Sequence, residues 1–248
     1  MLELKNICAG YGDRRILDNV TATVEKGRLT SLIGVNGCGK STLLKTMLGI
    51  LPVLHGSVEI DGCDLRSMNR NDIAKKIAYL PQGKNTPDMT VEQMVLHGRF
   101  PYLSYPRRYR SIDREIAREA INSVGMSHFA DKPLYALSGG MRQNAYIAMA
   151  LAQNTDYILL DEPTTYLDIS HQLELMRLLK MLAEMGKGII AVMHDLPLAL
   201  RFSDELIVLE NGGIRAEMTP RELCDTSIIS EIFQTQVKCV DGNYYYDI

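Results

Sequence analysis

The sequence predicts an α/β fold: a mainly parallel sheet, an antiparallel β subdomain on its N-terminal side, and an inserted helical subdomain. Three observations carry this. Residues 34–41 read GVNGCGKS, which fits G-x-x-x-x-G-K-[ST], between an apolar strand-like run at 28–33 and a helix-like run at 41–48. Short apolar runs recur at 157–160 and 188–193, as buried parallel strands do. From residue 83 to about 154 the strand signals vanish and helical periodicity takes over.

In chain order, residues 2–7 alternate apolar and polar, a half-buried strand, and 15–24 repeat the pattern. Between them, 9–12 read as a loop that presents Tyr11. An exposed ring there could stack on an adenine, although a loop tyrosine is usually packing. Residues 56–60 are a short strand closed by the turn at Asp61 and Gly62, and 76–80 another, broken by Pro81. Gln82 follows that break, where an amide can reach a metal or a water.

In the helical stretch, 90–98 and 111–124 are candidate helices, the second with Ile112, Ile116, Ala120, Ile121 and Val124 on one face. The segment 99–110 is basic, aromatic and twice broken by proline. It is either a solvated loop or a contact surface, since exposed aromatics and arginines anchor interfaces. Leu137, Ser138, Gly139 and Gly140 open a further helix, with Ser138 at the N-cap. The glycines expose backbone N–H groups at a positive dipole end, a second candidate anion site.

The strand at 157–160 delivers Asp161 and Glu162 to its C-terminal end, where α/β sheets place ligands. Asp161 has the position of a magnesium acid, and Glu162 can polarise a water. Residues 170–184 form an amphipathic helix stopped by Gly186. The strand at 188–193 ends in His194, which could touch a γ-phosphate. A hairpin turns at 211–213, short helices reach Phe233, and 237–248 form a terminal hairpin about Asp241 and Gly242.

At the phosphate loop itself, Gly34, Gly37 and Gly39 allow positive φ and close backbone approach to a ligand. Successive N–H groups form an anion nest backed by a helix N-terminus. Lys40 adds a charge for the β- and γ-phosphates, and Ser41 a hydroxyl for Mg²⁺. Asn36, Cys38 and Thr42 belong to the same loop and helix start and complete the nucleotide-binding set. The Cys38 thiol is either a tolerated small group or a site of alkylation.

The 248 residues are 46% hydrophobic and 23% charged, enough for one large α/β domain or two small ones. A net charge of −3 gives no electrostatic footprint for nucleic acid. Five scattered cysteines suit neither a disulfide framework nor a zinc site. No apolar run approaches the ~18 residues of a membrane span, so work at a membrane needs a partner.

The order and spacing of the phosphate loop, Gln82, the Leu137–Gly140 run, Asp161-Glu162-Pro163, Leu167-Asp168 and His194 resemble the nucleotide-binding subunits of ATP-binding cassette transporters over essentially the whole chain. That resemblance implies a P-loop NTPase core within one domain, 1–248. Core and β subdomain would occupy 1–82 and 155–220, the helical subdomain 83–154, and a C-terminal extension 221–248. It implies a head-to-tail homodimer holding ATP between the phosphate loop of one copy and Ser138, Gly139 and Gly140 of the other. Tyr11 would stack on adenine; Ser41, Gln82 and Asp161 would serve Mg²⁺; Glu162 would be the general base. His194 would hold the γ-phosphate and attacking water, and Asp168 would link the two sites.

Membrane permease subunits, with an extracytoplasmic substrate-binding protein beyond them, would be the partners, placing the chain at the cytoplasmic face of the cell membrane. Met141 departs from the family signature, which usually has Gln there, so a contact toward the ribose would be lost. Runs at 98–102, 148–153 and 164–169 are similar to importers of iron–siderophore complexes, haem and cobalamin, with a ferric siderophore the favoured cargo. A soluble cassette ATPase acting outside transport is the competing expectation.

Overall fold

The computed structural model describes residues 1–83 and 86–247. The helical stretch expected from residue 83 and the hairpin expected to 248 take in Lys84, Asn85 and Ile248, which lie outside the described residues. The chain opens with strands β1 (Leu2–Tyr11), β2 (Arg14–Val24) and β3 (Leu29–Ile33), then helix α1 (Lys40–Met47). Strands β4 (Val53–Ile60) and β5 (Cys63–Asp64) precede α2 (Arg70–Lys76) and β6 (Ile77–Leu80). The helical stretch holds α3 (Val91–Leu96), α4 (Ser111–Ser123) and α5 (Gly139–Ala152). Next come β7 (Tyr157–Asp161), α6 (Ile169–Glu184), β8 (Gly188–Val192), α7 (Leu196–Phe202), β9 (Glu205–Glu210) and β10 (Gly213–Met218). The tail is α8 (Pro220–Cys224), α9 (Ile228–Phe233) and the hairpin β11 (Gln236–Val240) and β12 (Asn243–Asp247).

The larger sheet has the order β10-β9-β3-β8-β7-β6, parallel throughout except for the β9–β10 hairpin. Every residue of β3, β7 and β8 is buried, which explains their unbroken apolar sequences: helices or a second sheet cover both faces. Successive side chains alternate between two cores. Ile158 and Leu160 pack with α6 and α7, whereas Leu159, Ile190 and Val192 pack with α1 and the antiparallel sheet β2-β1-β4-β5. A third core, built on Val91, Val95, Ala117, Ile121 and Ala148, holds α3, α4 and α5 together.

Two expectations need correction. Residues 9–12 are not a loop: β1 runs on to Tyr11, with Gly10 paired to Arg15 and Tyr11 to Arg14. Gly10 serves close strand approach, since a Cβ there would lie 2.0 Å from the Arg14 carbonyl oxygen. The buried face of α4 keeps Ile116, Ala120, Ile121 and Val124 but begins one residue later than expected. Ile112 is 47% exposed, and Asp113 turns inward instead, beside Ala117, Ala120 and Ile121.

The inward acid has a partner. Arg99, 5% exposed, donates from Nε to Asp113 at 3.2 Å and from Nη1 to the Ala152 carbonyl at 2.9 Å. Its guanidinium also stacks 3.9 Å from the Tyr102 ring, and the Tyr102 hydroxyl donates to the Gln153 carbonyl at 3.0 Å. So the start of the basic aromatic segment is an internal clamp between α4 and α5. Its exposed part includes Phe100, Tyr105 and Arg107, the last stacked 4.2 Å from the Phe100 ring.

Candidate functional site

Strand order assembles the site. In the run β3-β8-β7-β6, neighbouring C-terminal ends carry the loop at Gly34, His194, the Asp161-Glu162 pair and Gln82. Residues far apart in sequence meet because their strands are adjacent in the sheet, at the edge where α/β folds bind ligands.

The loop after β3 has the backbone its glycines allow: φ is 152° at Gly34, 80° at Gly37 and 113° at Gly39. At Gly34 the freedom is obligatory, because a Cβ would lie 2.2 Å from the Leu209 carbonyl oxygen. Lys40 is 6% exposed, and its ammonium donates to the carbonyls of Gly34 at 2.7 Å and Val35 at 3.0 Å. Beside the loop lies an open cleft of about 260 Å³, lined in part by Tyr11, Asn36, Gly37, Gly39, Lys40, Ser41, Thr42 and Glu162. Tyr11 is 48% exposed at the cleft, with the Lys45 ammonium 5.9 Å over its ring. Cys38 turns away into the core, and burial pushes its thiol up despite the nearby Lys40 charge. A protonated, buried thiol is a poor nucleophile, so the small-residue reading holds over the alkylation site.

Ser41 donates its hydroxyl to Asp161 Oδ1 at 3.2 Å, and the Tyr79 hydroxyl reaches Asp161 Oδ2 at 3.5 Å. Burial pushes the Asp161 carboxyl up, with the Glu162 charge adding, while the Ser41 hydroxyl and Lys45 pull it back. Glu162 departs from ordinary backbone: its φ is 52°, in the left-handed region that a non-glycine residue occupies at a cost of about 1–3 kcal/mol. Its side chain is held on both oxygens. Oε1 lies 2.5 Å from His194 Nε2, and Oε2 accepts from Thr165 Oγ1 at 3.2 Å and from the Gln82 amide. A carboxylate fixed by three partners at the mouth of an anion cradle can orient a water and accept its proton.

Ser138, Gly139, Gly140 and Asp168 form a second group outside the lining of this cleft, although Gly139 shares an adjoining cavity with Gln82, Asp161 and Glu162. Ser138 caps α5, its hydroxyl accepting from the Met141 N–H at 3.3 Å. Met141 packs its side chain against the helical core. Asp168 caps α6 and accepts from the His171 N–H at 2.9 Å, and these donors hold its carboxyl down at about 2. Beside these caps the large side chains of Tyr166 and Ile169 stand open, 93% and 75% exposed.

The ABC transporter family profile matches residues 17–165. The chain belongs to the ABC transporter family of ATPases. It is 45% identical to the iron(3+)-hydroxamate import ATP-binding protein of Bacillus subtilis strain 168, over 96% of this chain and 90% of that one. Identity to the ferric enterobactin transport ATP-binding protein of Escherichia coli K12 is 41%, covering 96% of this chain and 88% of the relative. A solved bacterial ABC transporter cassette, determined as a dimer, superposes with a TM-score of 0.76 at 31% identity, covering 89% of this chain and 99% of that one.

ATP and Mg²⁺ are the groups this family implies, and the ABC ATPase site fits both. A buried ammonium resting on the Gly34 and Val35 carbonyls and near the Cys38 sulfur, with no carboxylate beside it among the described residues, at the N-terminus of α1, is a cradle that phosphate completes. The Ser41 hydroxyl and Asp161 carboxylate are hard oxygen donors, few enough to suit an ion that keeps its waters and its phosphate ligands. Arg14 and Ile16 also line the cleft, and Thr165 and Tyr79 support the two acids, without having been expected. No motif marks them; only strand pairing brings them in. Among the described residues, no helix is long and apolar enough to cross a membrane.

Proposed function

We propose that this ABC ATPase powers import of an iron chelate, a ferric siderophore, through a partner membrane permease. The observation that carries the reading is near-full-length similarity, at 45% and 41% identity, to two ATPases named for iron(3+)-hydroxamate import and ferric enterobactin transport.

In this reading two copies bind ATP between them. The phosphate loop and Lys40 of one copy hold the phosphates, Tyr11 stacks on the adenine, and Ser138, Gly139 and Gly140 of the other copy close the site. The cassette determined as a dimer supports the arrangement, as do the exposed Tyr166 and Ile169, whose apolar surface a second copy would cover. Ser41, Asp161 and Gln82 would hold Mg²⁺, which supplies charge neutralisation at the phosphates when bound. Glu162 accepts the proton of the attacking water, and Gln82 and His194 hold that carboxylate in place. Asp168 carries the link between the two sites. Permease subunits and an extracytoplasmic binding protein complete the importer, with the ATPase at the cytoplasmic face.

Uptake of radiolabelled iron as a hydroxamate siderophore, in cells whose only copy of this chain carries Lys40→Ala, tests the proposal. Loss of uptake with normal chain levels is expected. Undiminished uptake would remove the iron-chelate reading.

A further inference from the structure

His171 belongs to no motif, yet its ring touches two members of the second residue group, Asp168 and Gly140. Asp168 Oδ1 accepts from the His171 N–H at 2.9 Å, the Ser170 hydroxyl at 2.8 Å and His171 Nδ1 at 2.8 Å. With its carboxyl held at about 2, Asp168 is ionised and can only accept, so Nδ1 carries the imidazole proton. The backbone bond alone makes an ordinary N-cap; the ring bond is additional.

The opposite edge of the same ring lies on Gly140. A Cβ at that position would stand 2.2 Å from His171 Cδ2 and 2.8 Å from Nε2. Gly140 has ordinary helical backbone, so ring contact, not conformation, is what requires glycine. Neither helix needs this contact for its own start: α6 is capped through the His171 backbone, and α5 through Ser138. With 36% of its side chain exposed, the ring is also a poor core filler.

We infer that His171 is a positioning residue that joins Asp168 and Gly140 into one unit, so that both meet the partner copy together. The inference rests on the proposed two-copy site, in which Gly140 and Asp168 face the partner. Without the ring, each would sample its position separately, and the closed dimer would carry that ordering cost.

The test uses Glu162→Gln chains, which retain ATP, on size exclusion with ATP and Mg²⁺. Into this background go His171→Phe, which keeps a ring on Gly140 but removes the Nδ1 donor, and His171→Asn, which keeps an amide donor for Asp168 but removes the ring. Each is expected to weaken ATP-driven dimerisation at least tenfold. Thermal midpoint and affinity of the monomer for a fluorescent ATP analogue should stay unchanged. Dimerisation at parental strength in both variants overturns the inference and leaves the two-copy reading intact. Loss in only one overturns it too, since the ring then serves a single neighbour. A fall in thermal midpoint that accounts for the loss makes the ring structural and likewise removes the inference. If Glu162→Gln alone fails to dimerise with ATP, the two-copy reading falls and takes the inference with it.

Discussion

Glu162 is the residue on which the proposed hydrolysis turns. It sits in left-handed backbone, and its carboxylate is tied to His194, Thr165 and Gln82. The neighbouring Asp161 bonds Ser41 and faces the phosphate loop. In the proposed function the two acids divide the work, one for the metal and one for the water. Replacing Glu162 with Gln preserves size and one acceptor oxygen but removes a competent base. General-base catalysis is worth about 10²–10⁴-fold, so Glu162→Gln should cut single-turnover hydrolysis by that factor. ATP binding, measured by equilibrium dialysis, should be unaltered because the cradle is untouched. Hydrolysis at the parental rate would shift the base to His194.

At the level of elements, the helical stretch has its own ionic lock. Asp113 is fully buried, held down at about 2 chiefly by hydrogen bonds from Arg110, with Arg99 assisting. An unfolded Asp titrates near ~3.9. The folded value is the lower one, so this stabilisation is complete above the unfolded value and drains away as pH falls toward about 2. Asp113→Ala leaves Arg99 buried without its acid, which should cost about 3–5 kcal/mol in denaturant unfolding at neutral pH. The gap between variant and parent should narrow in acid; a constant gap would point to lost packing alone.

The exposed residues beside this lock, Phe100 and Tyr105, are the contact candidates, because Tyr102 is committed to α5. Phe100→Ala with Tyr105→Ala should weaken assembly with the permease in co-purification while sparing ATP binding. Full assembly would return the segment to the solvated-loop reading.

Legibility followed the same division by element. Runs such as 157–160 and 188–193 were plain because strands buried on both faces must be apolar throughout. The inward turn of Asp113 was hidden, since a charged residue at a helix start reads as solvent-facing until its arginine is found in another element. Likewise the phosphate loop declares itself locally, whereas Tyr79 and His171 gain meaning from contacts with Asp161 and Gly140 across the fold, and Thr165 from the turn that brings it back to Glu162. Tyr11 was placed on the right surface with the wrong backbone, because Gly10 looked like a turn and serves instead to let β1 and β2 approach.

For the whole molecule, the two residue groups pose one question. Lys40, Ser41, Asp161, Glu162 and His194 gather at the strand ends, whereas Ser138 and Asp168 cap two helices at an open surface beside the exposed Tyr166 and Ile169. In the proposed two-copy reading, a single copy carries half of two sites. Mixing Lys40→Ala chains with Ser138→Arg chains, each inactive by itself, measures this directly through ATPase activity. In a mixed dimer one site holds both lesions and the other holds neither, so activity should return on mixing. If heterodimers are shown to form and the mixture stays as inactive as its parts, the head-to-tail sharing of ATP is contradicted.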